Sequence, residues 1–181
     1  MKPRLFPTVV LLCATVVALL AAEPTTDAAR VPFPADYATK FTVIRTANKT
    51  EVSLLGTIYA NDHAAQVTDL AHLPYPTGAV LIMEWAKPLR DERGELLVDA
   101  QGLWRKGEVV RIDLMQREPG YGEGYGAKRS GEWEFATYNS DATLRIAPAA
   151  ATRCAACHQK AGAGRDFVFR GRFPKLEGTP E

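Results

Sequence analysis

Runs of β-branched and aromatic residues recur along most of the chain. Their lengths and the turn residues beside them predict seven β-strands, at 41–44, 52–59, 79–86, 95–98, 103–104, 109–116 and 131–138. The apolar run at 79–86 is the strongest of these strand signals. In 109–116, apolar and polar side chains alternate, with Met115 on the polar face. That alternation predicts a half-buried antiparallel strand.

Two segments carry helical signals instead. Asn61 and Asp62 can cap a helix that runs to about His72, because the small apolar residues after them fall on one face. A second helix is predicted at 147–160, near the end of the chain. Strands that are segregated from helices favour an antiparallel sheet with helices at its edge. We therefore predict a mainly β fold of the α+β class: an antiparallel β-sheet body, an early helix and a C-terminal helix.

The first residues have the layout of a targeting segment. Lys2 and Arg4 precede an uncharged apolar run at 5–20, which small and then polar residues follow. This layout is typical of a secretory signal peptide, and the run is short for a membrane span, which needs about 20 apolar residues. We predict export to the periplasm, with an uncleaved, membrane-tethering leader as the alternative. The predicted organisation is a signal peptide at 1–22, an extended arm at 23–34 and one domain at 35–181.

Composition narrows the range of partners. The chain carries 22 Lys and Arg residues against 21 Asp and Glu, a formal net charge of +1. No excess of charge therefore steers it toward nucleic acid or an anionic membrane surface, and no nucleic-acid partner is expected. Hydrophobic residues make up 46% of the chain, which is enough to form a core.

The cysteines and one histidine form a compact motif. Cleavage of the leader removes Cys13 and leaves Cys154 and Cys157, directly before His158. Cysteines three residues apart on a helical turn project to the same side, so both thiols can add to vinyl groups on one edge of a porphyrin. The histidine that follows can then bind the iron as an axial ligand. The sequence Cys-Ala-Ala-Cys-His at 154–158 therefore predicts one covalently bound haem c.

Two other uses of the cysteines fit the sequence less well. A zinc site needs four ligands, and the remaining histidines, His63 and His72, lie far upstream. A redox dithiol of the thioredoxin kind belongs to a βαβ pattern, whereas this motif follows a region of antiparallel character.

Three stretches of the chain resemble the cytochrome P460 family, which also contains the cytochromes c′-β. They are Thr-Ile-Tyr-Ala-Asn-Asp at 57–62, Tyr-Pro-Thr-Gly-Ala-Val-Leu-Ile-Met-Glu at 75–84, and 153–173, where Asp-Phe-Val-Phe follows the haem motif. The resemblance covers roughly 35–175. It implies an antiparallel β body with haem held against the sheet by a C-terminal helix. It also implies a sixth iron position that is open or shielded by apolar side chains.

The same resemblance bears on activity. Members of the P460 type oxidise hydroxylamine, and members of the c′-β type bind NO and CO. The family lysine that is joined covalently to the porphyrin corresponds here to Met83, and an expected arginine corresponds to Gly56. Lys87 would need a bulge in the strand to take the lysine's place. We therefore expect no hydroxylamine-oxidising site. Whether the chain is an enzyme is left open, leaning against one; an enzymatic version would be an oxidoreductase acting on hydroxylamine or NO.

The residues opposite His158 decide between the remaining functions. Alternation places Leu81 and Met83 on one strand face, and we expect them in the distal haem pocket. We predict a largely five-coordinate haem in an apolar pocket that binds NO, CO or a related small nitrogen species. The alternative is a low-spin electron carrier in which Met83 or a histidine is the sixth ligand. A periplasmic redox partner is expected, and the resemblance adds a homodimer.

Other candidate residues are expected to have structural roles. Glu84 should point away from Met83 on a regular strand, and Met115 on a polar face is a poor iron ligand. His63 and His72 are expected on the surface or at helix caps. Aromatic residues in a β body are usually core residues, and this expectation covers Tyr121, Tyr125 and Trp133.

Overall fold

A computed structural model describes residues 31–169 of the chain. Five antiparallel strands form one sheet in the order β1-β2-β3-β4-β5, so each strand pairs with its neighbour in sequence. The strands are β1 (Thr42–Lys49), β2 (Leu54–Ala60), β3 (Val80–Pro88), β4 (Lys106–Arg117) and β5 (Trp133–Tyr138). The signal peptide predicted at 1–22 lies outside the described residues.

Short helices flank the sheet. The α-helices are α1 (Tyr37–Lys40), α2 (Asp62–Ala65) and α3 (Thr152–His158). Short 3₁₀ segments lie at Leu70–His72, Glu123–Lys128, Pro148–Ala151, Gln159–Ala161 and Ala163–Arg165. Within residues 31–169, no helix is long and apolar enough to span a membrane. The prediction of a mainly β fold with an antiparallel sheet and a C-terminal helix is confirmed.

The early helix is much shorter than predicted. Asn61 caps α2 as expected, because its Oδ1 accepts a hydrogen bond from the Ala64 main-chain N at 3.0 Å. The predicted extension to His72 is wrong, since α2 has only four residues. The Asp69 side chain then accepts a hydrogen bond from the Ala71 main-chain N at 2.9 Å. That local bond starts a separate 3₁₀ turn and competes with a continuous helix.

The two short strands predicted at 95–98 and 103–104 are also wrong, since these segments contribute only isolated bridges. Asp91 Oδ1 accepts hydrogen bonds from the main-chain N–H groups two and four residues later, and Asp99 Oδ1 does the same. These side chains satisfy the main chain locally. The segment between β3 and β4 therefore folds as two successive exposed turns.

Side chains on alternate positions of the sheet reach two different environments. Along β3, Leu81, Met83 and Trp85 lie on the face toward α3, which we call the near face. Ile82 and Glu84 point to the opposite, far face. Residues on β4 follow the same rule: Ile112 and Leu114 are buried on the far face, whereas the Arg111 and Asp113 side chains on the near face are 37% and 36% exposed. The prediction of a half-buried antiparallel strand is confirmed, although Met115 on the near face is buried.

A second core covers the far face. It contains Val31, Tyr37, Tyr59, Ile82, Ile112, Leu114, Ala136 and Tyr138. The first described residues supply part of this cover, since Val31 is fully buried and the Phe33 ring lies edge-on to Tyr138 with centroids 5.1 Å apart. The segment before β1 therefore seals the face of the sheet that α3 does not reach.

Glu84 is the charged centre of the far core. It is only 2% exposed, and Tyr37 donates a hydrogen bond to its Oε2 at 2.6 Å. Lys106 Nζ lies 2.7 Å from Oε1, and the Tyr59 hydroxyl lies 3.5 Å away. Burial, followed by the bond to Glu84, raises the pKa of Tyr37, which keeps this donor protonated. Glu84 thus points away from Met83, as expected.

Replacing Glu84 by Gln should lower the free energy of unfolding by about 1–3 kcal/mol, because the amide is a weaker partner for a buried hydroxyl and an ammonium group. Urea unfolding followed by circular dichroism measures the change. The matched control is Glu108→Gln, which breaks an exposed pair between the same two strands, with Lys87 Nζ 2.7 Å from Glu108. The control should lose no more than about 1 kcal/mol. Equal losses in the two variants would contradict a structural role for the buried carboxylate.

Candidate haem site

A cavity of about 620 Å³ lies between the near face of the sheet and α3. All five strands line it, together with α3 and the residues that follow α3. Pockets that bury a small molecule commonly measure about 300–1,000 Å³. The cavity is therefore of the right size for an organic cofactor.

Helix α3 forms one wall of this cavity. Ala155 is fully buried, and the Ser130 hydroxyl donates a hydrogen bond to the Ala155 carbonyl oxygen at 2.6 Å. Small side chains let the helix approach the sheet closely. The helix predicted at 147–160 is confirmed as a helical segment at 148–161: a 3₁₀ turn at Pro148–Ala151 precedes α3, and a second at Gln159–Ala161 follows it and ends at Gly162, whose φ is 80°. This short helix carries the whole haem motif.

The motif residues meet at the cavity wall. Cys154, Cys157 and His158 all line the cavity, and both cysteines are free thiols. Cys154 is half-buried, whereas Cys157 is exposed. The two thiols lie one helical turn apart, as the spacing predicts for attachment to one edge of a porphyrin.

The state of the thiols argues against a redox dithiol. Burial raises the pKa of Cys154, and the nearby carboxylate of Asp113 adds to that effect. A reactive dithiol needs the opposite, a lowered pKa that supplies thiolate. Among residues 31–169, no three His, Cys, Asp or Glu side chains are grouped to hold a metal ion.

His158 is held in its neutral form, with one ring nitrogen free to act as a ligand. Its Nδ1 lies 2.7 Å from the carbonyl oxygen of Phe167. A carbonyl can only accept, so Nδ1 carries the proton and Nε2 keeps its lone pair. The rings of Phe135 and Phe169 flank the imidazole, with centroids 4.8 and 5.2 Å away. Burial lowers the pKa of His158, which favours the neutral, ligating form.

Leu81 and Met83 line the cavity from β3, where the sequence places them. On the neighbouring strand, Gly56 and Ile58 continue the same surface. A Cβ atom on Gly56 would lie 2.6 Å from Met83 Cε, so the methionine occupies the space that any side chain at 56 would need. Met83 and Gly56, the two positions that the resemblance aligns with the family's lysine and arginine, are therefore in direct contact.

A polar strip crosses the near face of β4 and its neighbours. Asp113 accepts hydrogen bonds from Trp85 Nε1 at 2.7 Å and from Thr137 Oγ1 at 2.9 Å. The Arg111 guanidinium carbon lies 4.5 Å from the centroid of the Trp85 ring, and Arg111 Nε lies 3.1 Å from Asp113. The expectation of an apolar pocket is therefore wrong for this part of the cavity. The alternation in 109–116 does predict a polar face on this strand, but that face lines the cavity instead of contacting solvent.

Cations line the cavity at the end away from the cysteines. Arg45 and Lys49 reach it from β1, the edge strand opposite β5. Cys154 lies near Asp113 and Thr137, which belong to β4 and β5. A porphyrin carries its propionates on the edge opposite its vinyl groups, so Arg45 and Lys49 would be placed to bind those carboxylates if the cysteines held the vinyl edge. Arg145 and Arg153 also line the cavity, Arg153 directly before Cys154. Sequence reasoning missed Arg45 and Lys49, because isolated basic residues on a strand form no pattern.

Several candidate residues lie away from the cavity. His63 and His72 are exposed and do not line it, so neither is placed to act as a sixth ligand. Lys87 does not line it either, and its Nζ lies 2.7 Å from Glu108. The remaining aromatic candidates are also absent from the cavity wall, in agreement with a packing role: Tyr121, Tyr125 and Trp133.

Comparison with known families agrees with this geometry. The family model for cytochrome P460 matches residues 34–170, which is most of the chain. The chain belongs to the cytochrome P460 family. Membership makes it a haem-binding cytochrome, and the cavity, the two thiols and the oriented histidine fit that cofactor. A search of curated proteins found no match to this cytochrome.

Replacing both Cys154 and Cys157 by Ala in this cytochrome should abolish covalent haem attachment, because no thiol remains to form a thioether. Intact mass should fall by one haem, and acidified organic solvent should extract the pigment. Each single variant should keep one thioether. Cys13→Ala is the control, and it should leave the mass of the mature protein and its haem unchanged. Haem retained covalently in the double variant would contradict attachment at these thiols.

Replacing Gly56 by Ala should displace the Met83 methyl group with little loss of stability, because that group is the end of a flexible side chain that can turn away. The haem absorption bands should shift as well, because Met83 lines the cavity. Thermal unfolding and absorption spectra measure the two effects. Gly164→Ala is the control, since a Cβ at that position would meet nothing within 4 Å. Unchanged spectra in the Gly56 variant would show that Met83 is free to move elsewhere.

Proposed function

We propose that the mature protein is a periplasmic monohaem cytochrome c whose largely five-coordinate haem binds NO, CO or a related small nitrogen species. In this proposal Cys154 and Cys157 carry the thioether bonds, and His158 is the axial ligand. The haem supplies an iron with one exchangeable position for a diatomic ligand. The observation that carries the proposal is that the cavity offers no second histidine for the sixth iron position: within residues 31–169, His158 is the only histidine that lines it.

The packing of Met83 supports an exchangeable sixth position. Its methyl group lies over the main chain of Gly56, so the end of the thioether side chain is engaged by β2. Leu81 and Ile58 lie beside it and extend the apolar surface. An apolar cap of this kind excludes water and leaves room for a small neutral ligand. Met115 also lines the cavity, but it packs in the same core cluster as Phe135 and Ala155.

The polar strip supports a preference for weakly polar ligands. Asp113 already accepts from the Trp85 indole N–H and lies beside the Arg111 guanidinium. The negative carboxylate therefore offsets the positive charge and occupies the indole donor. Because the two opposite charges offset each other, the strip offers little extra stabilisation to a ligand with charge on its outer atom, although Arg111 Nε forms no hydrogen bond among the described residues.

A low-spin electron carrier is the second candidate. The observation in its favour is that Met83 is the thioether on the β3 wall of the cavity, and a Met ligand raises the reduction potential. An oxidoreductase acting on hydroxylamine or NO is disfavoured, because Met83 cannot supply the amine that the family's oxidising type joins to its porphyrin. Export through the leader at 1–22, a periplasmic redox partner and a homodimer complete the proposal.

Replacing Met83 by Ala should leave the ferric haem high-spin and should accelerate CO binding to the ferrous protein, because the cavity gains volume. Optical and EPR spectra with stopped-flow mixing measure both properties. Met115→Ala is the matched control: it removes a cavity-lining methionine from the core beside α3 and should lower stability without a change of spin state. A low-spin wild-type spectrum, with a sulfur-to-iron band that Met83→Ala abolishes, would replace this proposal with the electron carrier.

A further inference from the structure

The carbonyl group that orients His158 belongs to an unusual piece of main chain. Asp166 has φ 48° and ψ 37°, and Phe167 follows with φ 60°. Two consecutive residues therefore adopt the left-handed conformation, and neither is glycine. Aspartate tolerates that region, whereas a bulky residue such as phenylalanine rarely enters it. Such a conformation persists only where the surroundings determine it.

Asp166 is fixed by three elements of the core. Its Oδ2 accepts a hydrogen bond from the Tyr75 main-chain N at 2.9 Å, and its carbonyl oxygen accepts one from Trp133 Nε1 at 2.9 Å. Tyr75 and Trp133 are both fully buried, and their rings meet edge-on at 5.5 Å. Arg117 Nε lies 3.7 Å from the same carboxylate oxygen. The carboxylate thus ties the segment to the loop before β3, and to β4 and β5.

Phe167 is held by its ring as well as by its main chain. A Cβ atom on Gly131 would lie 3.2 Å from that ring, so the ring rests directly against the glycine. The Phe167 main-chain N donates to the carbonyl oxygen of Gly162 at 3.0 Å. With both sides fixed, the carbonyl oxygen of Phe167 is left aimed at His158 Nδ1, at 2.7 Å.

We propose that Asp166 is a positioning residue for the iron ligand: it locks the Phe167 carbonyl onto His158 and thereby sets the strength of the iron–histidine bond. This inference rests on the proposed role of His158 as the axial ligand. Asp166 does not touch the imidazole and acts through the peptide unit that it holds. A strong bond at Nδ1 makes the imidazole a better electron donor at Nε2. If the hydrogen bond at Nδ1 loosens, the iron–histidine bond weakens. A tightly bound NO on the other side of the iron then displaces the histidine more readily.

The test uses the haem-loaded protein and the variants Asp166→Ala and Asp166→Asn. Alanine removes the acceptor for the Tyr75 main-chain N and disfavours the left-handed main chain. Asparagine keeps an acceptor oxygen and the left-handed preference, so it is the conservative rescue. In Asp166→Ala we expect the ferrous iron–histidine stretching band to shift to lower frequency. The reduction potential should rise, and more of the NO complex should be five-coordinate. Asp166→Asn should stay close to the wild type.

Asp141→Ala is the control for a merely structural effect. Asp141 also accepts a main-chain hydrogen bond in a turn, from the Thr143 N at 3.0 Å, but it is exposed and does not line the cavity. It should lose some stability with no change in stretching frequency or potential. If Asp166→Ala behaves in the same way, the positioning role is overturned. If that variant does not fold, Asp166→Gly keeps the left-handed main chain without the carboxylate and must show the same shifts.

The wild-type spectrum separates this inference from the proposed function. A low-spin, six-coordinate wild type would refute the proposed gas-binding haem. The difference in reduction potential between wild type and Asp166→Ala would still test the positioning role. A five-coordinate wild type whose potential and stretching frequency are unchanged in Asp166→Ala would overturn the inference alone.

Discussion

Side chains alternate from face to face along β3, and the rest of the molecule is arranged around that alternation. Met83 pairs across to Ile58 and Asp113 on the near face, while Glu84 is buried on the far face. A shift of the register by one residue would put the Glu84 carboxylate into the cavity and Met83 among the tyrosines. The hydroxyl and ammonium partners of Glu84 therefore help to fix the strand register that keeps this carboxylate out of the cavity, although none of them lines it.

The cavity that results is chemically divided. Aliphatic and thioether groups from β2 and β3 form one part of the wall, the Trp85–Asp113–Arg111 strip forms another, and the cations of β1 lie at the edge. This division matches the parts of a haem, whose ring is apolar and whose propionates are anionic. The proposal of a small uncharged ligand rests on the apolar part of this wall, which has no charged group to pair with a ligand.

The ligand side of the site depends on strain that the core sustains. Left-handed conformations at non-glycine residues cost on the order of 1–3 kcal/mol each, and both Asp166 and Phe167 adopt them. The buried hydrogen bonds to Asp166 from Tyr75 and Trp133 offset that cost. The Phe167 carbonyl, held by these contacts, gives His158 one orientation, which is the preorganisation that the proposed axial ligand needs.

The sequence by itself determined the fold class, the main strands and the haem motif. Strand alternation depends only on neighbouring residues, and the spacing of Cys154, Cys157 and His158 is a local property of one helical turn. It also placed Leu81 and Met83 on the correct face, with Glu84 opposite. Sequence reasoning overestimated the length of the early helix. The hydrogen bond from the Ala71 main-chain N to the Asp69 side chain, which starts a separate turn, is a detail of side-chain geometry that the sequence pattern does not show.

Only the tertiary structure decided what each face meets. Arg111 and Asp113 look like solvent-facing residues along the chain, and the packing of α3 over β4 turns that face into a cavity wall. The contact between Gly56 and Met83 joins two strands, and the hydrogen bonds that fix Asp166 come from Tyr75 and Trp133, which lie far from it in the sequence. No periodicity records such meetings, because they depend on how whole elements pack. The motif at 154–158 predicts that haem is bound, whereas the function proposed for the site depends on these long-range contacts.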